Sequence, residues 1–313
     1  MHIRQVIVAM CAKVCGFGSK SSGILVLAFL GSLALSLVSV AYAGDLKWTG
    51  CGVTKKAFMK ELAQAYEQKT GTEIKLSGGG ASKGIRAASA GTTDIGGTCR
   101  HWLKDVNSEI NPQEQDAELI QVAWDALVVI VHPDNEVDNI SVEQLKQIYG
   151  GKISNWSEVG GADRPIGVIA RDGKTSGVGY MFRQLVFSDP AYTIKARALR
   201  VKSSGPLEKK VEKVKTAIAI DGVSSAKKRK VKFLSLDGVA PTKENIAAGR
   251  YSLFRPLYLA INNSKASAET KKFIEYALSS EGQAIISKQG TVNLQEGEAL
   301  NAMWEAKKVS VGL

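Results

Sequence analysis

Three stretches of this chain place glycine and hydroxyl residues where a strand would hand over to a helix, an arrangement that offers backbone N–H groups to an anion. The longest runs from Ser77 to Arg100 and begins Ser-Gly-Gly-Gly-Ala-Ser-Lys-Gly-Ile. Gly78 to Gly80 follow a short strand-like segment, and Ser82 is expected to open a helix that carries Ile85 and Ala88 on one face and stops at Gly91. A helix N-terminus leaves its first N–H groups without partners and gathers the positive end of the helix dipole, so negative charge is stabilised there. Gly97-Thr98-Cys99-Arg100, after the strand-like Thr93 to Gly96, supplies a second loop that would face the first across neighbouring strand ends. A glycine cluster alone makes only a turn, and recurrence is what gives this one weight. Gly50-Cys51-Gly52-Val53-Thr54 follows the strand-like Leu46 to Thr49, and Arg171-Asp172-Gly173-Lys174-Thr175-Ser176-Gly177 follows Ile166 to Ala170. The last of these adds an arginine, a forked cation suited to an oxyanion.

The elements around these loops read as alternating strand and helix, the pattern of an α/β fold. Thr54 is expected to cap a helix in which Phe58, Leu62 and Tyr66 recur every four residues and Gly71 is the stop. Ala126 to Val131 is a continuous apolar run, as in a strand buried on both faces. Ser141-Val142-Glu143-Gln144 is a capping box opening a helix closed by Gly150-Gly151, and Asn155-Trp156 sits in a polar turn. A helix with Tyr180, Met181, Phe182, Leu185 and Val186 follows the Arg171 loop. Lys202 to Lys232, peaking at Lys227-Lys228-Arg229-Lys230, is expected to be a solvated surface hairpin. Arg255 to Asn262 is a second apolar strand, and helices follow around Phe273 to Leu278 and Gln283 to Ser287, the latter after the capping box Ser280-x-x-Gln283.

With 313 residues and 44% hydrophobic content the chain is long enough for one large or two ordinary domains. Arg4, Lys13 and Lys20 precede the uncharged run Gly23 to Val40, which ends in Ala41-Tyr42-Ala43. That pattern is a secretory signal over residues 1–43, favoured over a retained anchor by the Ala-x-Ala site. Its removal lowers the formal net charge from +11 to +8 and leaves two cysteines, Cys51 and Cys99. In an oxidising compartment the two are candidates for a bond to each other, which spacing alone does not establish.

The order Gly-Gly-Gly-Ala-Ser-Lys-Gly-Ile at 78–85, Thr-Asp-Ile-Gly at 93–96, Ile-Tyr-Gly-Gly-Lys-Ile-Ser-Asn-Trp at 148–156, and Arg171 with Ser176-Gly177 resembles the phosphate-binding proteins of bacterial ABC importers. Asp237 to Thr242 and Arg255-Pro256-Leu257-Tyr258 extend the resemblance over nearly all of the chain beyond residue 43. It implies a type II periplasmic-binding-protein fold, two α/β domains joined by two crossover strands. On that basis domain 1 is discontinuous, 44–128 plus 256–313, and domain 2 is 129–255. The resemblance implies capture of inorganic phosphate or a related oxyanion between the domains and delivery to the membrane permease of an ABC importer. It further implies a periplasmic monomer with no cofactor, no metal and no nucleic-acid partner. The ligand positions it carries over are Val53, Thr54, Ala81, Ser82, Cys99, Arg171, Thr175, Ser176 and Gly177.

Three departures bear on which anion is bound. The first loop reads Gly-Cys-Gly-Val-Thr where the family usually has consecutive hydroxyl residues and a proline, Cys99 stands where phosphate binders often place Asp or Ser, and the 171–178 loop is one residue longer with Val178 where Thr commonly sits. A carboxylate at position 99 would accept the proton that phosphate carries and sulfate lacks, whereas a thiol is a weak acceptor. The sequence therefore predicts phosphate binding with poorer rejection of sulfate or arsenate, unless Asp172 reaches in. Two other classes are weighed against a carrier. A secreted phosphatase would need metal-binding carboxylates or an activated nucleophile, and neither assembles from adjacent segments. A sensor or adhesion module on the same fold would share the site. His101 and His132 have no partner at triad spacing, and a metal site of Cys51, Cys99 and His101 is the remaining alternative.

Overall fold

The computed structural model describes residues 44–105 and 107–313, so the expected signal at 1–43 lies outside the described residues. The alternation of strand and helix holds from the start. β1 (Leu46–Gly50) leads into α1 (Gly52–Thr54), which continues without a break through a π-helical turn, Lys55–Met59, into α2 (Lys60–Thr70). Phe58, Leu62 and Tyr66 are buried along this helix, and Gly71 ends it at φ +79°, where a residue without a Cβ meets no penalty. β2 (Ile74–Ser77), α3 (Gly80–Ser89) and β3 (Ile95–Thr98) repeat the unit. β4 (Glu118–Val131), β5 (Asn139–Ile140), α4 (Val142–Tyr149), β6 (Gly167–Arg171), α5 (Gly177–Phe187), β7 (Ala198–Val201), α6 (Ser204–Val211), β8 (Ala217–Gly222) and α7 (Val223–Ala226) follow. β9 (Lys232–Phe233), β10 (Ser235–Leu236), α8 (Lys243–Ala247), β11 (Phe254–Ile261), α9 (Ala268–Leu278), α10 (Ser280–Lys288) and α11 (Leu300–Val311) complete the order.

The main sheet runs β2-β1-β3-β11-β4-β8-β6-β7, with β9 added beside β4 and a separate pair formed by β10 and β5. β1 is parallel to β2 and β3 in one wing, and β6 is parallel to β7 and β8 in the other. Between them β4 pairs antiparallel with β11 from Glu118 to Ala126 and with β8 from Leu127 to Val131, so one strand belongs to both wings. From Val122 to Val131 it is buried without interruption, which is why its sequence, Asp125 apart, is apolar and not alternating. Within each wing the parallel strands send their carboxyl ends the same way, and the two wings, which run opposite to each other across β11 and β4, turn those ends toward one another, so the loops leaving β1, β2, β3, β6 and β7 meet at a crevice of the kind where ligands of α/β sheets bind.

Two glycine sites fix the loop after β2. Gly79 and Gly80 have φ +148° and +87°, which lets the chain turn into α3 without a side-chain cap. Further along, a Cβ on Gly84 would lie 2.7 Å from the Gly97 carbonyl, and one on Gly96 would strike the Gly84 carbonyl. The helix is thereby seated directly on β3.

Several expected boundaries shift for local reasons. α3 starts at Gly80, two residues before Ser82, whose hydroxyl instead donates to the Thr175 carbonyl at 2.9 Å. Thr54 is not the cap of its helix: Cys51 is, accepting the Thr54 N–H on Sγ at 3.4 Å. α10 is capped by Ser279, one residue before the expected Ser280, whereas the Ser141–Gln144 capping box forms as read. The basic stretch Lys202 to Lys232 is no surface hairpin. It contains α6, β8 and α7, because Leu207, Val211, Ile218 and Ile220 fill the core while most of its lysines stay at the periphery. No helix among the described residues is long and apolar enough to cross a membrane.

Candidate functional site

A cavity of about 740 Å³ opens at the gathered strand ends. Its wall is made by Cys51 to Val53, Gly78 to Ser82, Cys99, Arg171 to Gly173, Thr175 to Val178 and Lys202 to Gly205, with Lys56 and Arg229 alongside. The N-termini of the continuous α1–α2 helix, α3, α5 and α6 all open on this space. Four positive dipole ends and their unpaired N–H groups thus surround one volume. Among the lining side chains Lys56, Arg171, Lys202 and Arg229 are basic, and Asp172 is the one carboxylate.

Of the residues expected from sequence, Val53, Ala81, Ser82, Cys99, Arg171, Thr175, Ser176 and Gly177 all line the cavity. Thr54 does not. It is fully buried behind Cys51, its hydroxyl donating to the Cys51 carbonyl at 3.0 Å, so it supports the loop and leaves the wall to its neighbours. The loop Lys202 to Gly205 was missed, as were Lys56 and Arg229. Its signal was present in the strand-like Ala198 to Val201 followed by Ser203-Ser204-Gly205-Pro206, a fourth strand-to-helix junction masked by the lysines around it. Nothing in the sequence marks Lys56, which lies one turn into a helix from another junction.

The second wing aims its charges with buried acids. Arg171 donates through Nη1 to Ser204 Oγ at 3.0 Å and through Nη2 to the Lys202 carbonyl at 3.0 Å, so the loop after β7 orients the guanidinium. Ser204 in turn donates to Asp221 Oδ1 at 2.6 Å. Burial, with the nearby Glu208 charge, pushes Asp221 up to about 7. Glu208 itself is fully buried and accepts from Lys56 at 3.1 Å and Arg229 Nε at 2.8 Å, and from the Ser225 hydroxyl. Burial opposes its charge, but Ser225, Arg229 and Lys56 outweigh that and hold it below the usual carboxylate range.

The first wing presents neutral groups and thiols. Cys51 Sγ lies 3.2 Å from Cys99 Sγ, and both are free. Burial works to raise the Cys51 thiol, yet contacts from Cys99 and from the Thr54 hydroxyl and N–H, with the Arg255 charge behind them, bring it down to about 6. Cys99 is pushed well up by its hydrogen bond with Cys51 and by burial. The fully buried Arg255 of β11 donates to Asp125 Oδ2 at 3.0 Å and to the Cys99 carbonyl at 3.1 Å, tying the thiol loop to the central strands. His101 takes no part in a metal site with these cysteines: it contacts the Tyr258 hydroxyl at 3.1 Å and stacks on Trp304. No group of three metal-ligating side chains occurs among the described residues.

The two wings already touch at one rim. Ser82 and Arg100, from the first, both donate to the Thr175 carbonyl of the second, at 2.9 and 3.3 Å. Arg100 is held for this by the buried Glu114, 2.7 Å away.

A bilobal α/β sheet with a crevice of helix N-termini is the architecture of a solute-binding protein, and the chain matches the PBP superfamily domain over residues 44–281. It belongs to the PBP superfamily. Within it, the chain is similar to the phosphate-binding protein PstS of Borreliella burgdorferi, with 29% identity over 255 residues, 79% of this chain and 89% of that one. It is likewise similar to the phosphate-binding protein PstS of Bacillus subtilis, with 28% identity over 258 residues, 80% of this chain and 81% of the other. Among solved structures, an ABC-type phosphate transport receptor from Vibrio cholerae superposes with a TM-score of 0.62 at 29% identity, covering 80% of this chain and 100% of that one. A Clostridium perfringens protein crystallised with bound phosphate gives 0.69 at 26% identity, covering 80% and 99%.

Proposed function

We propose that this protein captures inorganic phosphate, or a closely related oxyanion, outside the cytoplasm and delivers it to the membrane permease of an ABC importer. One observation carries the reading: four helix N-termini and four basic side chains converge on one cavity with a single carboxylate at its wall. Such a site binds an anion by hydrogen bonds and field and holds no machinery to convert it. The protein is a carrier and not an enzyme, and similarity to phosphate-binding proteins supports the choice of anion. Arg171 supplies the forked charge, and backbone groups around Val53, Ala81, Ser82, Cys99, Thr175, Ser176 and Gly177 supply the remaining donors.

In this reading the chain is a type II binding protein whose domains, 44–128 plus 256–313 and 129–255, close as a monomer about β4 and β11. A signal at 1–43 directs it to the periplasm. Calorimetry should give saturable one-to-one phosphate binding, and small-angle scattering should show compaction on saturation. Absence of phosphate heat at millimolar ligand overturns the reading, and an unchanged radius overturns the hinge. Because a thiol occupies position 99, competition should also reveal measurable sulfate binding, and Cys99→Asp should sharpen the preference for phosphate. If the native protein ignores sulfate in large excess, Asp172 at the opposite wall is the discriminating acceptor.

A further inference from the structure

The anion cavity includes a pair of thiols for which simple capture has no use. Cys51 caps the α1–α2 helix and Cys99 opens the loop after β3; both line the cavity, and their sulfurs are 3.2 Å apart. No other described cysteine is near, so each has one possible partner. A disulfide bond of about 2.05 Å asks the two sulfurs to approach by only about 1 Å. The loops that carry them are already joined, since the Cys51 N–H donates to the Gly97 carbonyl at 3.0 Å.

We propose that Cys51 and Cys99 are a redox-modified pair: a disulfide-bearing oxidant links them across the cavity wall, and the linked form binds the anion more tightly than the dithiol. The inference rests on the anion-carrier reading given above. In the first step the Cys51 thiolate attacks one sulfur of the incoming disulfide, forming a mixed disulfide and expelling a thiolate. Cys99 then gives its proton to that thiolate, and its sulfur attacks Cys51 Sγ. The S–S bond to the oxidant breaks and a second thiolate leaves, to be protonated by the proton Cys51 had released. Two protein thiols are oxidised and the oxidant's disulfide is reduced to two thiols. Cys51 is the first to react because it is 6% exposed against 1% for Cys99, and because it sits at a helix N-terminus.

Affinity changes because charge changes. In the dithiol the Cys51 sulfur sits at the head of the helix, 3.4 Å from the Thr54 N–H and 3.3 Å from its hydroxyl, contacts that favour its thiolate, and negative charge there repels an arriving anion. The disulfide is neutral. The charged groups that face the pair do not cancel this difference: Arg255 and Asp125, from β11 and β4, are paired with each other. Lys56, Arg171, Lys202, Arg229 and Asp172 line the same cavity in both forms.

The test compares the protein treated with glutathione disulfide with the same protein treated with a phosphine reductant, using peptide mapping and phosphate calorimetry. Oxidised protein should yield a linked Cys51–Cys99 peptide. It should bind phosphate about fivefold or more tightly than reduced protein, the Coulomb effect of one charge a few ångströms away in a water-like medium. Cys51→Ser, which lacks the first nucleophile, should bind phosphate equally after either treatment, whereas Cys99→Ser should stop at the mixed disulfide, found by peptide mapping as a glutathione adduct on Cys51. Absence of the linked peptide overturns the proposal, as does a linked protein whose affinity is unchanged or weaker. If the linked peptide forms and neither sample binds phosphate, the carrier reading falls and takes the affinity claim with it, while the bond itself stands.

Discussion

The two wings build their halves of the cavity from different materials. The first contributes glycine turns, one serine and two thiols, so its contacts to a ligand come chiefly from main chain. The second contributes Arg171, Lys202 and Arg229, of which Arg171 is steered by the loop after β7 and Arg229 by buried Glu208. Lys56 belongs to the first wing by sequence, yet its ammonium is claimed by Glu208 of the second. The contrast separates two tasks. Main-chain donors fix geometry and are indifferent to which oxyanion arrives, whereas a guanidinium supplies most of the attraction in one side chain.

That separation breaks most visibly at Arg171. Arg171→Ala should weaken phosphate binding by about 2–5 kcal/mol, the scale for truncating one side of a buried charge pair. Wild-type affinity in calorimetry would mean that charge in the second wing is not what holds the ligand. Ser82→Ala in the first wing should cost much less, about 1 kcal/mol for one hydrogen bond, because Arg100 keeps Glu114 and Thr175 when Ser82 is truncated. A loss matching that of Arg171→Ala would erase the distinction between the wings.

The predicted response to pH has opposite signs in the two wings. Burial, helped by the Lys308 charge, lowers His101 from 6.5 to about 4, so the unfolded chain binds more protons between those values. Stability from the first wing is therefore complete above pH 6.5 and lost as pH falls toward 4. Asp221 is raised from 3.8 to about 7, so here the folded state holds the extra proton, and the second wing gains stability as pH falls through that window. Hydrogen exchange, corrected for the intrinsic pH dependence, should show protection falling around β3 and Tyr258 and rising in β8 between pH 7 and 5. Equal change in both would show that the wings do not respond separately.

The parts of the molecule legible in its sequence are those whose signal is local. Phe58, Leu62 and Tyr66 announce a helix by spacing, Ser141 and Gln144 announce a cap, and glycine-bearing junctions announce three of the four helix N-termini at the cavity. What stayed hidden depends on contacts between distant segments. Glu208 is an ordinary helical acid in sequence and a buried anchor for Lys56 and Arg229 in the fold, 152 and 21 residues away. The 202–232 stretch misled because charge was read as exposure: β8 is short, its six residues all buried, and the lysines flank it. Thr54 misled in a smaller way, since a hydroxyl at the start of a helix can support its neighbour's cap as readily as form one.

The direct contact of Gly84 with Gly96 and Gly97 has a thermodynamic consequence. With no side chain between helix and strand, α3 has no room to slide or tilt, and its N–H groups stand in position before any ligand arrives. Flexible donors would lose conformational entropy on association, about 0.5–1.5 kcal/mol for each rotamer-rich side chain immobilised. Donors of this kind lose almost none. A methyl group at either position would pry the helix from the sheet, so a carrier that folds normally could still lose affinity through a ligand it now has to organise for itself.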